Sequence, residues 1–130
     1  MSDSATVGAV VYAKSLERVR DFYAQCCGLA LTRSEDDHVV LDSPVFQLVI
    51  LAVPRKIAES ISVATPPVRR EGTPIKLIFR VESIDAVRML AARLGGQLNP
   101  PEREWNYRGQ KVCDGHDPEG NVVQFRELTR

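Results

Sequence analysis

Apolar positions recur along the chain with two different periods, which follow each other in a regular order. Val7 to Ala13 is a short apolar run that predicts a strand. Apolar residues then recur every three or four positions from Leu16 to Cys26, which predicts a helix that begins after Ser15 and ends at Gly28. Three further strands are predicted, at Leu29 to Ser34, His38 to Asp42 and Val45 to Val53. The pattern therefore predicts a βαβββ module over residues 7–53.

The same order restarts in the second half of the chain. A strand is predicted at Ile75 to Val81, and a helix begins after Ser83 and ends at Gly95 and Gly96. A shift of 68 residues brings Ser15 onto Ser83, and it also matches the glycines that follow the two helices. The second half ends with strands at Lys111 to Asp114 and Val122 to Glu127, joined by the turn Asp117-Pro118-Glu119-Gly120. We therefore predict an α+β fold of two tandem βαβββ modules, 7–53 and 75–127, in a single domain with a linker at 54–74.

Composition excludes several classes of function. The 130 residues are 44% hydrophobic and 26% charged, which is typical of a globular chain. The 17 basic and 17 acidic residues give a net charge of zero, so neither nucleic acid nor an anionic membrane is expected as a partner. No apolar run approaches the roughly 20 residues that span a bilayer. The 3 cysteines lack a CxxC spacing and predict reduced thiols in a cytoplasmic protein.

Alternation along the strands separates an apolar face from a mixed one. The apolar face is expected to meet the helices. The mixed face admits two interpretations: it is a solvated sheet surface, or it lines a cleft for a small molecule, since such pockets place a few polar groups among aliphatic ones. Its polar members are Tyr12, Gln47, Lys76, Arg80, Gln124 and Arg126.

Three stretches resemble the vicinal oxygen chelate superfamily, which includes glyoxalase I, bleomycin resistance proteins and extradiol dioxygenases. GAVVYAKSLERVRDFYAQCCGL is similar to its opening strand and helix, and IKLIFRVESIDAVRMLAARLGG to the same part of its second module. DGHDPEGNVVQFREL resembles its closing hairpin. The resemblance implies a curled mixed sheet around a cleft, a glyoxalase-like domain over residues 1–130, and a homodimer.

Enzymes of this superfamily hold a metal at fixed strand positions, which correspond here to Gly8, Gln47, Lys76 and Gln124. Gln47 is assigned as the internal equivalent of Gln124, because Val45-Phe46-Gln47 is similar to Val122-Val123-Gln124. A glycine has no donor atom and a lysine brings a positive charge, so this set does not suit a divalent ion. We therefore expect no metal and no other cofactor, and metal-dependent glyoxalase or dioxygenase activity is not expected.

The resemblance leaves three functions open. The first is a metal-independent binding protein for a small molecule, and the second is a lyase, isomerase or dioxygenase of the same fold with a non-standard or misaligned site. The third is a module that binds another protein. Residues Asn99 to Arg108 are predicted to form a loop, and the resemblance implies that its Trp105 and Tyr107 line the cleft.

Charge on the mixed face favours an anionic ligand. Lys76, Arg80 and Arg126 share that face, whereas no acidic residue of the first, fourth, fifth or eighth strand does so. Arginine suits a carboxylate particularly well. On this basis Lys76→Met should weaken anion binding more than tenfold, or about 1.4 kcal/mol.

Three other residues are assigned to structure. His116 is assigned to the turn region, where it is exposed or bonded to the turn, and Cys113 to a small buried apolar position. Arg88 is expected on the solvated face of the second helix.

Overall fold

The structure is a computed structural model that describes residues 5–129. The chain divides into two compact units, one that extends to Val63 and one that begins at Ala64. The boundary falls within the predicted linker. None of the helices in the described part of the chain is long and apolar enough to cross a membrane.

The described part of the N-terminal unit, residues 5–63, contains one mixed sheet and two helices. The first strand runs parallel to the last, and the other neighbours are antiparallel, in the order β1-β4-β3-β2. The helix α1 packs against β3 and β4. Its elements are β1 (Gly8–Ala13), α1 (Leu16–Cys26), β2 (Ala30–Ser34), β3 (His38–Asp42), β4 (Gln47–Ala52) and α2 (Arg55–Ser60).

The C-terminal unit repeats this topology in the order β5-β9-β8-β6, again with a parallel pair of first and last strands. An additional strand, β7, pairs with β8. The α+β fold of two βαβββ modules is thereby confirmed. Its elements are β5 (Leu77–Arg80), α3 (Ile84–Arg93), β6 (Gln97–Leu98), a 3-10 helix (Pro101–Arg103), β7 (Trp105–Tyr107), β8 (Gln110–His116) and β9 (Val122–Leu128).

The prediction of a loop over Asn99 to Arg108 was wrong. The segment contains the 3-10 helix and β7, which forms a hairpin with β8. Arg108 and Gly109 both have positive φ, 49° and 76°, which suits a two-residue turn between antiparallel strands. Three residues are too few to reveal a strand by alternation, so the sequence pattern did not indicate β7.

The core of each unit lies between its helix and the apolar face of its sheet, as the alternation predicted. In the N-terminal unit Phe22 and Tyr23 are buried edge to face, with ring centroids 5.1 Å apart. In the C-terminal unit Phe79 and Phe125 pack across the parallel strands at 6.5 Å, and Ile84 of α3 is fully buried. Burial of these side chains supplies the main stabilising free energy.

The turn between β8 and β9 has a second role in the C-terminal unit. The amide of Gly120 donates to the carbonyl of Asp117 at 3.0 Å, which confirms the predicted β-turn. The carbonyl of Gly120 accepts from the amide of Arg70 at 2.8 Å. A Cβ at Gly120 would lie 2.0 Å from the carbonyl oxygen of Val68. The end of the predicted linker is therefore packed on this turn, which only glycine permits.

Candidate ligand-binding site

The candidate site lies on the face of the C-terminal sheet that points away from its core. Residues directly opposite each other on neighbouring strands share a face, so the strand registers define its members. We call this surface the polar face. Its members are Ile78 and Arg80 on β5, Val122, Gln124, Arg126 and Leu128 on β9, Gln110, Val112, Asp114 and His116 on β8, and Trp105 and Tyr107 on β7, with Lys76 just before β5.

A chain of hydrogen bonds crosses the polar face. Lys76 Nζ donates to Asp114 Oδ2 at 2.8 Å, and Gln124 Nε2 donates to Asp114 Oδ1 at 3.0 Å. Arg126 Nε in turn donates to Gln124 Oε1 at 2.8 Å, and its Nη1 lies 3.5 Å from Gln110 Oε1. The chain fixes the orientation of the Gln124 amide, because one end must donate and the other must accept.

Two guanidinium groups of this face have no carboxylate partner in the described part of the chain. Arg80 and Arg126 are opposite each other in the parallel register of β5 and β9. Within residues 5–129 the Arg126 guanidinium donates only to the two amide oxygens named above, and it lies 5.6 Å from the ring centroid of Tyr107. Arg80 is exposed, and among residues 5–129 its side chain forms neither a hydrogen bond nor an ion pair. This end of the polar face is therefore positively charged.

Lys76 differs from the two arginines because Asp114 neutralises it. Of the three cations predicted on this face, only Arg80 and Arg126 therefore lack a carboxylate partner among residues 5–129. The carboxylate comes from β8, a strand that the charge argument left out. Alternation along that strand separates its two faces, but only the register with β9 shows that Asp114 is opposite Gln124.

A pocket of about 190 Å³ lies beside this ion pair, entirely within the C-terminal unit. Its floor includes Lys76, Asp114 and Val122 from the polar face. Its wall is formed by the chain that enters β5, which contributes Arg69, Glu71, Thr73 and Ile75. Arg69 is held in place, since its Nη1 donates to Asn99 Oδ1 at 2.7 Å. The pocket is small beside the roughly 300–1,000 Å³ of most ligand sites.

Two predicted site residues, Tyr12 and Gln47, belong to the N-terminal unit. Tyr12 is exposed on β1, and Gln47 Nε2 donates to Asp42 Oδ1 at 3.1 Å. The proposed equivalence of Gln47 and Gln124 is not supported by the strand registers. Gln47 is opposite Gly8, whereas Gln124 is opposite Ile78, two residues beyond the lysine that matches Gly8.

The four positions at which the superfamily holds a metal do not fit one here. Gly8 offers no donor atom, and the Lys76 ammonium has no lone pair and donates to Asp114. The Gln124 amide oxygen could ligate a metal, but it already accepts from the positively charged Arg126. Among residues 5–129, no three His, Cys, Asp or Glu side chains are grouped so that they could hold a metal ion.

The opposite side of the C-terminal sheet holds a second polar cluster. Arg88 of α3 donates to Glu104, to Asp85 at 2.7 Å and to the carbonyl of Asn99 at 2.9 Å. Its side chain is 19% exposed, so the prediction that it lies on a solvated face was wrong. The helix pattern identifies a face but cannot show that a loop folds back over it.

Two residues assigned to structure are where we expected them. Cys113 is fully buried, and burial raises the pKa of its thiol, while the Arg88 guanidinium opposes that rise. His116 is buried beside the turn, and its Nδ1 donates to the carbonyl of Asp117 at 2.9 Å, since a carbonyl can only accept. Cys113 points to the core side of the sheet, and His116, although on the polar face, takes no part in its chain of hydrogen bonds.

No family model matches this sequence, and no curated protein sequence does. Solved structures do match it. The chain is similar to a glyoxalase/bleomycin resistance protein/dioxygenase family enzyme from Burkholderia phytofirmans PsJN, with 17% identity, a TM-score of 0.69, and coverage of 95% of this chain and 98% of that one. It is also similar to a glyoxalase/bleomycin resistance protein from Albidiferax ferrireducens T118, with 19% identity, a TM-score of 0.64, and coverage of 93% and 96%.

A third similar structure is TnmS3, an antibiotic binding protein from Streptomyces sp. CB03234. It shares 19% identity and a TM-score of 0.62, and the match covers 99% of each chain. At sequence identities of 17–19%, similarity to these solved structures establishes the fold alone. The chain has the fold of the glyoxalase/bleomycin resistance protein/dioxygenase structures, which confirms the predicted resemblance at that level.

Proposed function

We propose that this protein binds a small anionic molecule without a metal, and that the ligand's negative group is held at the positively charged end of the polar face. The observation that carries the proposal is the pair formed by Arg80 and Arg126, side by side in register and without a carboxylate partner in residues 5–129. Two neighbouring guanidinium groups repel each other unless an anion lies between them. Arginine binds carboxylates through two parallel hydrogen bonds, which gives the site its selectivity.

The chemistry of the face favours binding over catalysis. A general base must offer a free lone pair, whereas Lys76 donates to Asp114. The similarity to an antibiotic binding protein supports a binding role at the level of the fold. The proposal therefore needs charge complementarity and a rigid surface, and it needs no reacting group.

Three matched probes test the charge of the ligand. Hexanoate, hexan-1-ol and hexylamine share one apolar tail and differ in their head group. A ligand that binds only the folded state raises the melting temperature, and the rise grows with the logarithm of the ligand concentration above Kd. We expect hexanoate alone to raise Tm, and stabilisation by hexylamine instead would contradict the proposal.

Substitutions then locate the site. Arg126→Gln keeps the hydrogen-bonding capacity and removes the charge, and it should weaken hexanoate binding at least tenfold, or about 1.4 kcal/mol. Arg80→Gln should act in the same direction. Lys76→Met should have a smaller effect than first expected, because Asp114 already neutralises Lys76. Arg93→Gln, on the exposed side of α3, is the matched control and should leave binding unchanged.

Metal independence is tested separately. Protein purified without a chelator should keep its Tm and its hexanoate affinity after treatment with EDTA. Loss of binding on chelation, restored by one divalent ion, would overturn this part of the proposal.

A homodimer stays a prediction. It rests on the resemblance and on the cost of leaving sheet edges unprotected. Light scattering at tens of micromolar protein measures it directly.

A further inference from the structure

The positive end of the polar face also carries two exposed aromatic rings. Trp105 is 43% exposed and Tyr107 is 47% exposed. In the strand registers, Arg80 is opposite Arg126, Arg126 is opposite Val112, and Val112 is opposite Trp105. One row across four strands therefore has guanidinium groups at one end and an indole at the other, with Tyr107 in the adjacent row.

The strand that carries these rings is fixed in place. It forms a hairpin with β8 through the turn at Arg108 and Gly109. The residue before it, Glu104, has a side chain only 10% exposed, which pairs with Arg88 and lies 3.7 Å from Lys111 Nζ. A surface that is ordered before binding loses little conformational entropy when a ligand arrives.

The rings and the charges are within reach of one small molecule. Neighbouring strands are about 4.8 Å apart, so Trp105 and Arg126, two strands apart, are separated by about 10 Å at the backbone. Arg126 already lies over one ring, with its guanidinium carbon 5.6 Å from the Tyr107 centroid. Aromatic faces and cations attract each other, and aromatic rings stack with a similar strength.

From this arrangement we infer that the ligand is an aromatic carboxylate, whose ring packs on Trp105 and Tyr107 while its carboxylate binds Arg126 and Arg80. The inference rests on the proposed function, because it uses the same anion site. It adds a requirement that the proposed function does not make, namely an aromatic ring in the ligand.

Trp105 is the single tryptophan of the chain, so its fluorescence reports contact with the ligand directly. The probes are 3-phenylpropanoate, 3-cyclohexylpropanoate and 3-phenylpropan-1-ol, which differ by one feature at a time. We expect 3-phenylpropanoate to change the Trp105 emission and to bind about fivefold to tenfold more tightly than the cyclohexyl acid, the range expected of one aromatic pair. The alcohol should bind most weakly.

The outcomes separate the two proposals. Equal binding of the phenyl and cyclohexyl acids, with weak binding of the alcohol, would overturn the aromatic requirement and leave the anion site intact. Binding of the alcohol as tight as that of the acids would overturn the anion site, and with it the inference. Failure of all three probes to bind would overturn both.

A pair of substitutions tests the role of the indole. Trp105→Leu should lower the affinity for 3-phenylpropanoate about fivefold and leave that for 3-cyclohexylpropanoate nearly unchanged, measured by calorimetry. Trp105→Phe keeps a ring and should recover most of the lost affinity. If both variants bind the phenyl acid as the parent does, Trp105 does not contact the ring and the inference is wrong.

Discussion

The two units share one topology, but they place different chemistry at equivalent positions. When Gly8 is matched to Lys76, the row Tyr12 and Leu51 in the N-terminal sheet corresponds to the row Arg80 and Arg126 in the C-terminal sheet. Tyr12 and Leu51 are uncharged, whereas Arg80 and Arg126 are both cations. The N-terminal face is largely aliphatic around Tyr12, with Val10 54% exposed.

The helices show the same divergence. Arg20 of α1 and Arg88 of α3 are matched by the 68-residue shift. Arg20 pairs with its chain neighbour Asp21 at 2.9 Å. Arg88 instead reaches Glu104 and the carbonyl of Asn99, and so fixes the segment that leads into β7. A repeated backbone therefore does not imply a repeated site, because the site comes from the residues and loops added to one copy.

The largest effect on stability is expected where residues 68–70, which precede β5, pack on the β8–β9 turn. Gly120 has φ of 87°, and a Cβ there would meet the carbonyl of Val68. Gly120→Ala should lower the free energy of unfolding by about 2–4 kcal/mol, since left-handed strain and a backbone clash add. Hydrogen exchange at the Arg70 amide should also become faster, because that amide bonds to Gly120.

Two other glycines serve as controls for Gly120→Ala. Gly28, at the end of α1, and Gly109 both have positive φ, but nothing lies within 4 Å of a Cβ at either. Gly28→Ala and Gly109→Ala should each cost about 1 kcal/mol, the backbone strain alone. Equal losses in all three variants, measured by urea unfolding, would show that Val68 does not pack on the turn.

The next largest effect on stability is expected to differ between the two matched arginines. Arg88→Ala leaves the nearly buried Glu104 with only Lys111 at 3.7 Å, and it should lower the free energy of unfolding by about 2 kcal/mol. Arg20→Ala removes a local, partly exposed pair and should cost less than about 0.5 kcal/mol. Urea unfolding of both variants measures the difference, and similar losses would mean that the cluster around Arg88 contributes no more than a surface pair.

A smaller change in stability is expected when the glutamine of each glutamine–aspartate pair in the two sheets is replaced by glutamate. Gln47→Glu places a carboxylate opposite Asp42, which has no ion pair among residues 5–129, and should cost about 1 kcal/mol. Gln124→Glu places one opposite Asp114, but Arg126 and Lys76 flank that position, so stability should change little. A greater loss for Gln124→Glu than for Gln47→Glu, by thermal unfolding, would contradict the positive charge assigned to the polar face.

The sequence was sufficient for the repeated fold and for the faces of the strands, because both depend on local periodicity and turn residues. Gln124 and Arg126 were placed on the right face by alternation alone. Alternation did not identify Asp114 as the partner of Lys76. Asp114 lies on β8, and its contact with Lys76 depends on the register between strands. The position of β7 and the bonds of Arg88 depend on how the loop over residues 99–104 folds back, which no local pattern encodes.

The buried thiols of the two units give the smallest expected effect, a dependence of the free energy of unfolding on pH that begins only in the alkaline range. Burial raises the pKa of Cys26 from its ordinary value of 9.0 to about 12. Burial also raises the pKa of Cys113, but the nearby Arg88 guanidinium opposes the rise. The folded state therefore holds these protons more tightly than the unfolded chain, so stability is complete below pH 9 and falls as the pH rises toward 12.

Alanine variants separate the stability lost through thiol ionisation from the stability lost through other groups that titrate at high pH. The stability difference between the parent and Cys26→Ala should be constant from pH 7 to pH 9 and shrink above pH 9, because only the parent must release this thiol proton on unfolding. The difference for Cys113→Ala should shrink less over the same range. Urea unfolding between pH 7 and pH 10.5 measures both. A difference for Cys26→Ala that stays constant to pH 10.5 would mean that the thiol ionises alike in both states, so that burial in α1 does not hold its proton.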